Sequence, residues 1–489
     1  MTVSTRQLNE EYLALMPDGP KRAEEMRAAR HYMEGSTAVM GGHVLNTSFL
    51  PKLLDEGSRR AMKAVAETMY GVLVKVIDAY RRDGDYRALF DFDERHERLI
   101  MLPCRDEALM PIARIDAFFN EDDGSMAFCE FNTDGASGMN ENRETLASIR
   151  DTTAYERFAR AHRVTDDNDR LFTGLVAQLT AFYLRDRDPA AGAPHFAVVD
   201  YLENAVVEEF KVYAPLFEAA GVRFSVYDIR DLVLTEDGLM SDRPLIGEAA
   251  RPIDALWRRS VASDVLAHWD ESGAFIEALE TGRVELIGSF ANSVVHDKRV
   301  FVVLRRPETL ALLTAEERAV VERVIPFTDY LETGRVDMEQ IKRERDRWIV
   351  KPTDMYGCIG VFAGRDFSAA EWDDVVERCR DGRTGKPYLV QEFCVPYGSP
   401  AWALRGSAGD CEAPPETMNN LSGLYLVGGR FAGVFSRLGP GPIILGKYGG
   451  LTAGTLWVDA DWDEGTETTG AGAGRMAPAA AEAGKDGAA

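Results

Sequence analysis

Cysteine and histidine are scarce in this chain. Its 489 residues hold six cysteines, Cys104, Cys129, Cys358, Cys379, Cys394 and Cys411, and seven histidines. No cysteine belongs to a CxxC pair, and none is grouped with histidine at zinc-ligand spacing. That excludes a disulfide scaffold and a zinc module, and scattered thiols in so long a chain are expected to be reduced. Long apolar runs are missing too. No stretch approaches the roughly 18 apolar residues of a membrane-spanning helix. The N-terminal MTVSTRQLNEEYLALMPDG is charged where a secretory leader would be apolar. These absences predict a cytoplasmic protein with no membrane association. Positive charge is also in deficit, with 56 Lys and Arg against 80 Asp and Glu, a net charge of −24. That balance argues against a nucleic-acid backbone or an anionic lipid surface as main partner. A nucleotide ligand is not, because a few local cations and a metal ion are enough to hold one.

What is present is an ordinary globular balance, 45% hydrophobic and 28% charged. At roughly 150 residues per domain the length predicts about three domains. Residues 1–165 open with a mainly helical region. Within it Met62, Val65, Met69, Val72 and Val76 recur at spacings of three and four, an amphipathic helix over 58–80. Two strand-like runs follow, PIARIDAFF and MAFCEFN, separated by the turn DDGS and ending in a polar tip at 132–143. Residues 166–290 read as a βαβ unit and hence a parallel sheet. HFAVVD is a strand, Val206, Phe210, Tyr213, Phe217 and Ala220 mark a helix stopped by Gly221, and Val222, Phe224 and Val226 alternate as the next strand. Further strands are expected at 253–257 and 284–287, and Asp237-Gly238 marks a hairpin turn. Residues 291–463 read as α+β, with strands RWIVKP, PYLVQEF and LYLVGGRFAGVFSR and a glycine-rich hairpin GCIGVFAG. Residues 464–489 are Gly, Ala, Thr and Pro without apolar period, and are expected to be disordered.

Two constellations carry chemistry. Arg114-Ile115-Asp116 and Glu130-Phe131-Asn132 each alternate polar, apolar, polar. Alternate residues of a strand share a face, so a hairpin of the two strands brings four polar groups together. Two carboxylates and an amide oxygen suit a hard cation such as Mg²⁺, and the neighbouring arginine suits a phosphoryl group. The turn Thr133 to Gly138, with Ser137, adjoins them. The second constellation is the strand that delivers Lys351 into a loop holding Tyr356, Gly357 and Gly360, whose backbone amides can approach phosphates. Weaker signals are Gln391-Glu392 at a strand end, Lys298 at a helix start, Arg437 at a strand end, and Arg258-Arg259 as a pair for a substrate carboxylate. His296 is the one histidine near these residues, and Cys358 reads as a small apolar filler rather than a nucleophile.

Taken together these pieces resemble the ATP-grasp superfamily, and within it the circularly permuted branch typified by glutathionylspermidine synthase. There an Arg-x-Asp strand and a Glu-x-Asn strand precede the lysine strands, as Arg114/Asp116 and Glu130/Asn132 do here. The resemblance covers roughly residues 105–450. It implies a circularly permuted ATP-grasp fold of α/β and α+β parts, with an inserted Rossmann-like parallel-sheet domain at 166–290 and an ATP-binding lobe with a lid at 291–463. It further implies a carboxylate–amine ligase that uses ATP and two Mg²⁺ ions. Asp116, Glu130 and Asn132 would hold the metals, and Lys298 and Lys351, with the Gly357 and Gly360 lid, the ATP phosphates. Gln391 and Glu392 would meet adenine and ribose, Arg114 and Arg437 the transferred phosphoryl group, and Ser137 the substrate. The implied partners are a small carboxylate and an amine, with oligomeric state open. The family's Asn-Ala-Asp-Thr-Pro turn is Asn132-Thr133-Asp134-Gly135-Ala136 here, the loop after Lys351-Pro352 lacks Arg-Glu-Gly, and no amidase domain is attached, so glutathione and spermidine are not the expected substrates. Two other outcomes of the same site are a turnover-free ATP-binding regulator and a kinase-type phosphoryl transferase.

Overall fold

The strand Ile112–Phe119 alternates Arg114 and Asp116 with Ala113, Ile115 and Ala117, and the structure, a computed structural model, sends its two faces to different tasks. It describes residues 4–40, 42–105, 109–185, 187–188, 192–355, 357–404 and 413–459. The apolar face of this strand packs with the helix Glu56–Arg82, through Met62, Val65, Met69, Val72 and Val76, the residues the periodicity singles out. Asp55 caps that helix by accepting from the Ser58 amide at 2.7 Å. Each large side chain fully buried there contributes about 1.5–3 kcal/mol. With its apolar face anchored in this way, the strand keeps its polar face for other work.

Three larger sheets position the site. The first is antiparallel, in the order Leu451–Ala453, Arg430–Gly439, Glu416–Val427, Ile112–Phe119 and Met126–Asn132, with Tyr397–Ala401 also paired to Glu416–Val427. The second is parallel, in the order Glu285–Ile287, Ala255–Arg258, His195–Asp200 and Arg223–Asp228. The helix Val207–Ala219 links its last two strands, and Gly221 ends it at φ +82°, a left-handed conformation that glycine adopts without a Cβ clash. The Asp237-Gly238 turn joins Val233–Thr235 to Gly238–Met240. The third sheet is antiparallel, in the order Thr328–Tyr330, Tyr388–Glu392, Trp348–Pro352 and Phe362–Ala363. Helix Ala369–Cys379 covers it, burying Trp372, Val375 and Val376 against Trp348, Val350 and Val390.

The structure redraws two of the expected boundaries. Residues 291–463 do not build one lobe, because Glu416–Val427 pairs with Ile112–Phe119 from Ser422↔Ala117 to Val427↔Ile112. A strand buried on both sides needs a hydrogen-bonding neighbour on each edge, and Glu416–Val427 supplies the second one. The polar tip at 132–143 also differs, since the helix Met139–Ile149 starts inside it. In GCIGVFAG only Phe362–Ala363 forms a strand, against Ile349 and Val350, and the residues before it are turn. The first hundred residues are mainly helical, and Lys52–Asp55 pairs parallel with Thr455–Val458. Among the described residues no helix is long and apolar enough to cross a membrane. Cys104, Cys129, Cys358, Cys379 and Cys394 are unpaired thiols. Cys411, Tyr356 and residues 464–489 lie outside the described residues.

Candidate active site

The hairpin sets Asp116 directly opposite Glu130, and Arg114 opposite Asn132. Paired residues of adjacent strands point to one face, so the four polar side chains meet there. Asp116 is held from two sides. Arg114 grips it with Nε and Nη2, at 2.7 and 3.2 Å from its two oxygens, and Arg437 donates to its Oδ2 from the strand beyond Gly423. The side chain of Asp116 is 1% exposed, and polar groups so buried need such hydrogen-bond partners. Arg114 also donates to the Ser137 carbonyl at 2.6 Å, which accepts from the Tyr425 hydroxyl at 2.7 Å, so the turn that carries Ser137 is tied to the same cation.

Gly423, the register partner of Asp116, makes the arginine's position possible. A Cβ placed there would lie 2.7 Å from Arg114 Cδ. Gly423→Ala is therefore expected to displace Arg114, destabilise the fold by about 1–3 kcal/mol, and cut turnover. Thermal melts beside steady-state rates check this, and an unchanged rate would show that Arg114 tolerates displacement.

The lysines arrive from the other direction. Lys298 lies between the short helices Ser293–His296 and Val300–Val303, where its Nζ is 3.0 Å from Glu130 Oε1 and donates to the Met355 carbonyl at 2.7 Å. Burial works against ionising Glu130, but Lys298 outweighs it and holds the carboxyl down at about 2. Lys351 leaves its strand toward the hairpin. It donates to the Cys129 carbonyl at 2.9 Å and to Gln391 Oε1 at 2.8 Å, with Nζ 5.1 Å from the Phe301 ring centroid. Burial lowers Lys351 to about 8, with Lys298 nearby adding to the effect. Front-half carboxylates and back-half lysines thus share one cluster.

The glycine-rich turn lies near it. Gly357 and Gly360 have φ of +64° and +73°, and a Cβ on Gly360 would lie 2.7 Å from the Tyr388 hydroxyl. The Cys358 thiol between them feels the charges of Glu130, Arg437, Lys298 and Asp116, and burial pushes it above the ordinary thiol range. It is no ready nucleophile. His296 Nδ1 donates to the Phe131 carbonyl at 3.0 Å, so its ring lies beside the same strand.

Gln391 and Glu392 part company. Gln391 faces Lys351 and Thr328, and its amide is bonded to both. Glu392 points to the opposite face, toward Arg347 at 3.4 Å, and lines a cleft of about 340 Å³ with Ala127, Arg305, Phe327 and Phe393. Arg258 and Arg259 each meet a carboxylate of the chain itself. Buried Arg258 is paired with Asp134, and buried Arg259 with Glu209 at 3.0 Å. Asp134 also accepts from the Ala262 amide at 2.7 Å, and Glu209 accepts from the amides of Gly138, Met139 and Asn140. The two arginines brace the turn that carries Ser137. Asp134 and Glu209 were not singled out in the sequence. For Glu209 the available signal was an acid beside the apolar stripe Val206–Phe210.

Among the described residues no three His, Cys, Asp or Glu side chains form a metal cage. Asp116, Glu130 and Asn132 present carboxylate and amide oxygens on one face of the hairpin, donors of the kind that would hold a hard cation. The Asn132 amide nitrogen is buried without a hydrogen-bond partner.

No family model matches the chain. The ATP-grasp enzyme AnkG of Aspergillus thermomutatus is 24% identical over 205 residues, 39% of this chain and 40% of that enzyme, so the match spans two fifths of that relative's length. Among solved structures, the glutathione synthetase-like effector GSS30 of Globodera pallida, in its apo form, is similar at a TM-score of 0.55 and 12% identity, over 90% of this chain and 98% of that one. The fold is mixed α/β, and the chain is similar in sequence to an ATP-grasp enzyme and in fold to a glutathione synthetase-like protein.

Proposed function

We propose that the chain is an ATP- and Mg²⁺-dependent carboxylate–amine ligase that forms an amide through an acyl phosphate and releases ADP and phosphate. The observation that carries this is the single cluster of Arg114, Asp116, Arg437, Glu130, Lys298 and Lys351. On this reading the fold is a circularly permuted ATP-grasp with an inserted parallel-sheet unit, acting on a small carboxylate and an amine in the cytoplasm. A free carboxylate does not form an amide readily, because oxide is a poor leaving group. Phosphorylation by ATP turns that oxide into phosphate.

Phosphoryl transfer asks mainly for positioning and charge neutralisation. Lys351 and Lys298 neutralise the nucleotide's phosphates, and Gln391 orients Lys351. Arg114 and Arg437 stabilise the charge that grows on the transferred group, as preorganised cations do in a dry site. Mg²⁺, held by Asp116, Glu130 and Asn132, would supply Lewis-acid stabilisation of the same oxygens. Glu392, facing the cleft, would take the ribose. The glycine turn at 357–361 would exclude water from the acyl phosphate. The full donor set argues against a turnover-free regulator, since each charged group expected of the site is present.

The test is phosphate release with Mg·ATP across a panel of amino acids, small peptides and amines, with products weighed by mass spectrometry. The ligase reading expects release that needs both an acid and an amine, and a product lighter than their sum by one water. Release that needs only one substrate, with a phosphorylated product, would replace it by a kinase-type transfer. ATP binding without release across the panel would overturn it.

A further inference from the structure

Glu141 is a buried acid that the scheme above leaves unused. It stands in the first turn of the helix Met139–Ile149 and is 7% exposed. Its Oε2 accepts from the Thr452 hydroxyl at 3.3 Å, and Thr452 is the register partner of Arg437. The carboxylate is thereby brought alongside the arginine pair that would hold the acyl phosphate. Helix capping does not account for it, because Glu209 already accepts from the amides of Gly138, Met139 and Asn140. No ion pair ties it to a cation among the described residues. Its surroundings also contain unpartnered polar atoms. Thr145, one turn on and on the same face of the helix, is fully buried with an unbonded hydroxyl, and the Oδ1 of buried Asn140 is likewise unbonded. Leaving such groups unpaired is unfavourable unless a ligand or water meets them.

We infer that Glu141 is the catalytic base that takes the proton from the attacking amine. This rests on the ligase reading. An amine reaches the enzyme as an ammonium ion, which has no lone pair to donate. One N–H proton passes to the Glu141 carboxylate, and the freed lone pair forms the C–N bond at the acyl carbon. The C–O bond to phosphate breaks, its electrons leave with the phosphate, and the second N–H proton goes with it. Glu141 then returns its proton to solvent. Burial, reinforced by Glu209, pushes Glu141 up to about 7, against the pull of Arg437, Arg114 and the Thr452 hydroxyl. A base near the working pH both accepts and releases its proton efficiently.

The test compares the wild type, Glu141→Gln and Glu141→Asp with the acid and amine found in the phosphate-release panel, and with hydroxylamine replacing the amine. Hydroxylamine is largely unprotonated near neutral pH and needs no base. Amide formation is expected to fall about 100-fold in Glu141→Gln, while hydroxamate formation stays within about threefold of wild type. The acid limb of the rate profile near pH 7 should vanish in Glu141→Gln and return in Glu141→Asp. Melting curves separate function from fold. A carboxyl raised by the fold is ionised at a disadvantage above about pH 7, so Glu141→Gln should melt higher than wild type at pH 8. Equal loss of amide and hydroxamate, an undiminished amide rate, or a lower melting temperature at pH 8 would each overturn the inference. A wild type that makes neither product overturns the ligase reading instead.

Discussion

Glu130→Gln is expected to lower the rate of ADP formation by about 10³-fold, the scale on which losing one electrostatic group of a preorganised site acts. Glutamine keeps the shape of the side chain and can still touch Lys298, so the loss is one of charge at the place where a cation and phosphates would meet. The variant should fold, yet less stably. Lys298, itself buried, loses the anion 3.0 Å away. The wild-type carboxyl, held at about 2 against an ordinary 4.5, contributes roughly 3 kcal/mol at neutral pH. The sign follows from linkage. A depressed carboxyl stabilises the fold above its ordinary value, and the contribution is lost as pH falls toward about 2. The stability gap between wild type and variant should therefore be widest near neutral pH and close below pH 4.5. Urea unfolding at several pH values reads the gap, and coupled phosphate release reads the rate. A rate within about tenfold of wild type would remove Glu130 from the chemistry.

Much of this site was legible because strands write their faces into alternate residues. Arg114 with Asp116, and Glu130 with Asn132, announce a polar face whatever the rest of the chain does, and the hairpin turn between them is local. Lys351 was legible for a similar reason, as one charge in the run WIVKP leading into glycines. The remainder depends on partners distant in the chain. Nothing near Gly423 says that a strand more than three hundred residues upstream needs a neighbour without a Cβ. Nothing near Arg258 and Arg259 says that they are already matched to Asp134 and Glu209. Two adjacent arginines at the end of a parallel strand look like a ligand site, and only the packing shows them bracing a turn. Glu392 shows the reverse limit. The same alternation that gathers Arg114 and Asp116 separates Gln391 from Glu392, since neighbours in a strand take opposite faces.

Lys351→Met should part binding from stability in opposite directions. The lysine is 4% exposed and lowered to about 8, from an ordinary 10.5. A lysine whose charged form the fold disfavours lowers stability at pH values below about 8, and that disadvantage disappears as pH rises toward 10.5. The difference amounts to roughly 3 kcal/mol, offset in part by the loss of its bonds to Cys129 and Gln391. Methionine fills the space without charge, so the variant should melt at or above the wild-type temperature at pH 7 and lose that advantage at pH 10. Over the same change, ATP affinity measured by calorimetry should fall about 100-fold, the equivalent of about 3 kcal/mol for a charge-assisted contact with phosphate. A fold keeps a buried, unfavourably placed cation only where something else repays it, as functional sites commonly do at the expense of stability. Unchanged nucleotide affinity together with a lower melting point would mean that Lys351 is a structural tie between two sheets, and the phosphate cradle would have to lie elsewhere.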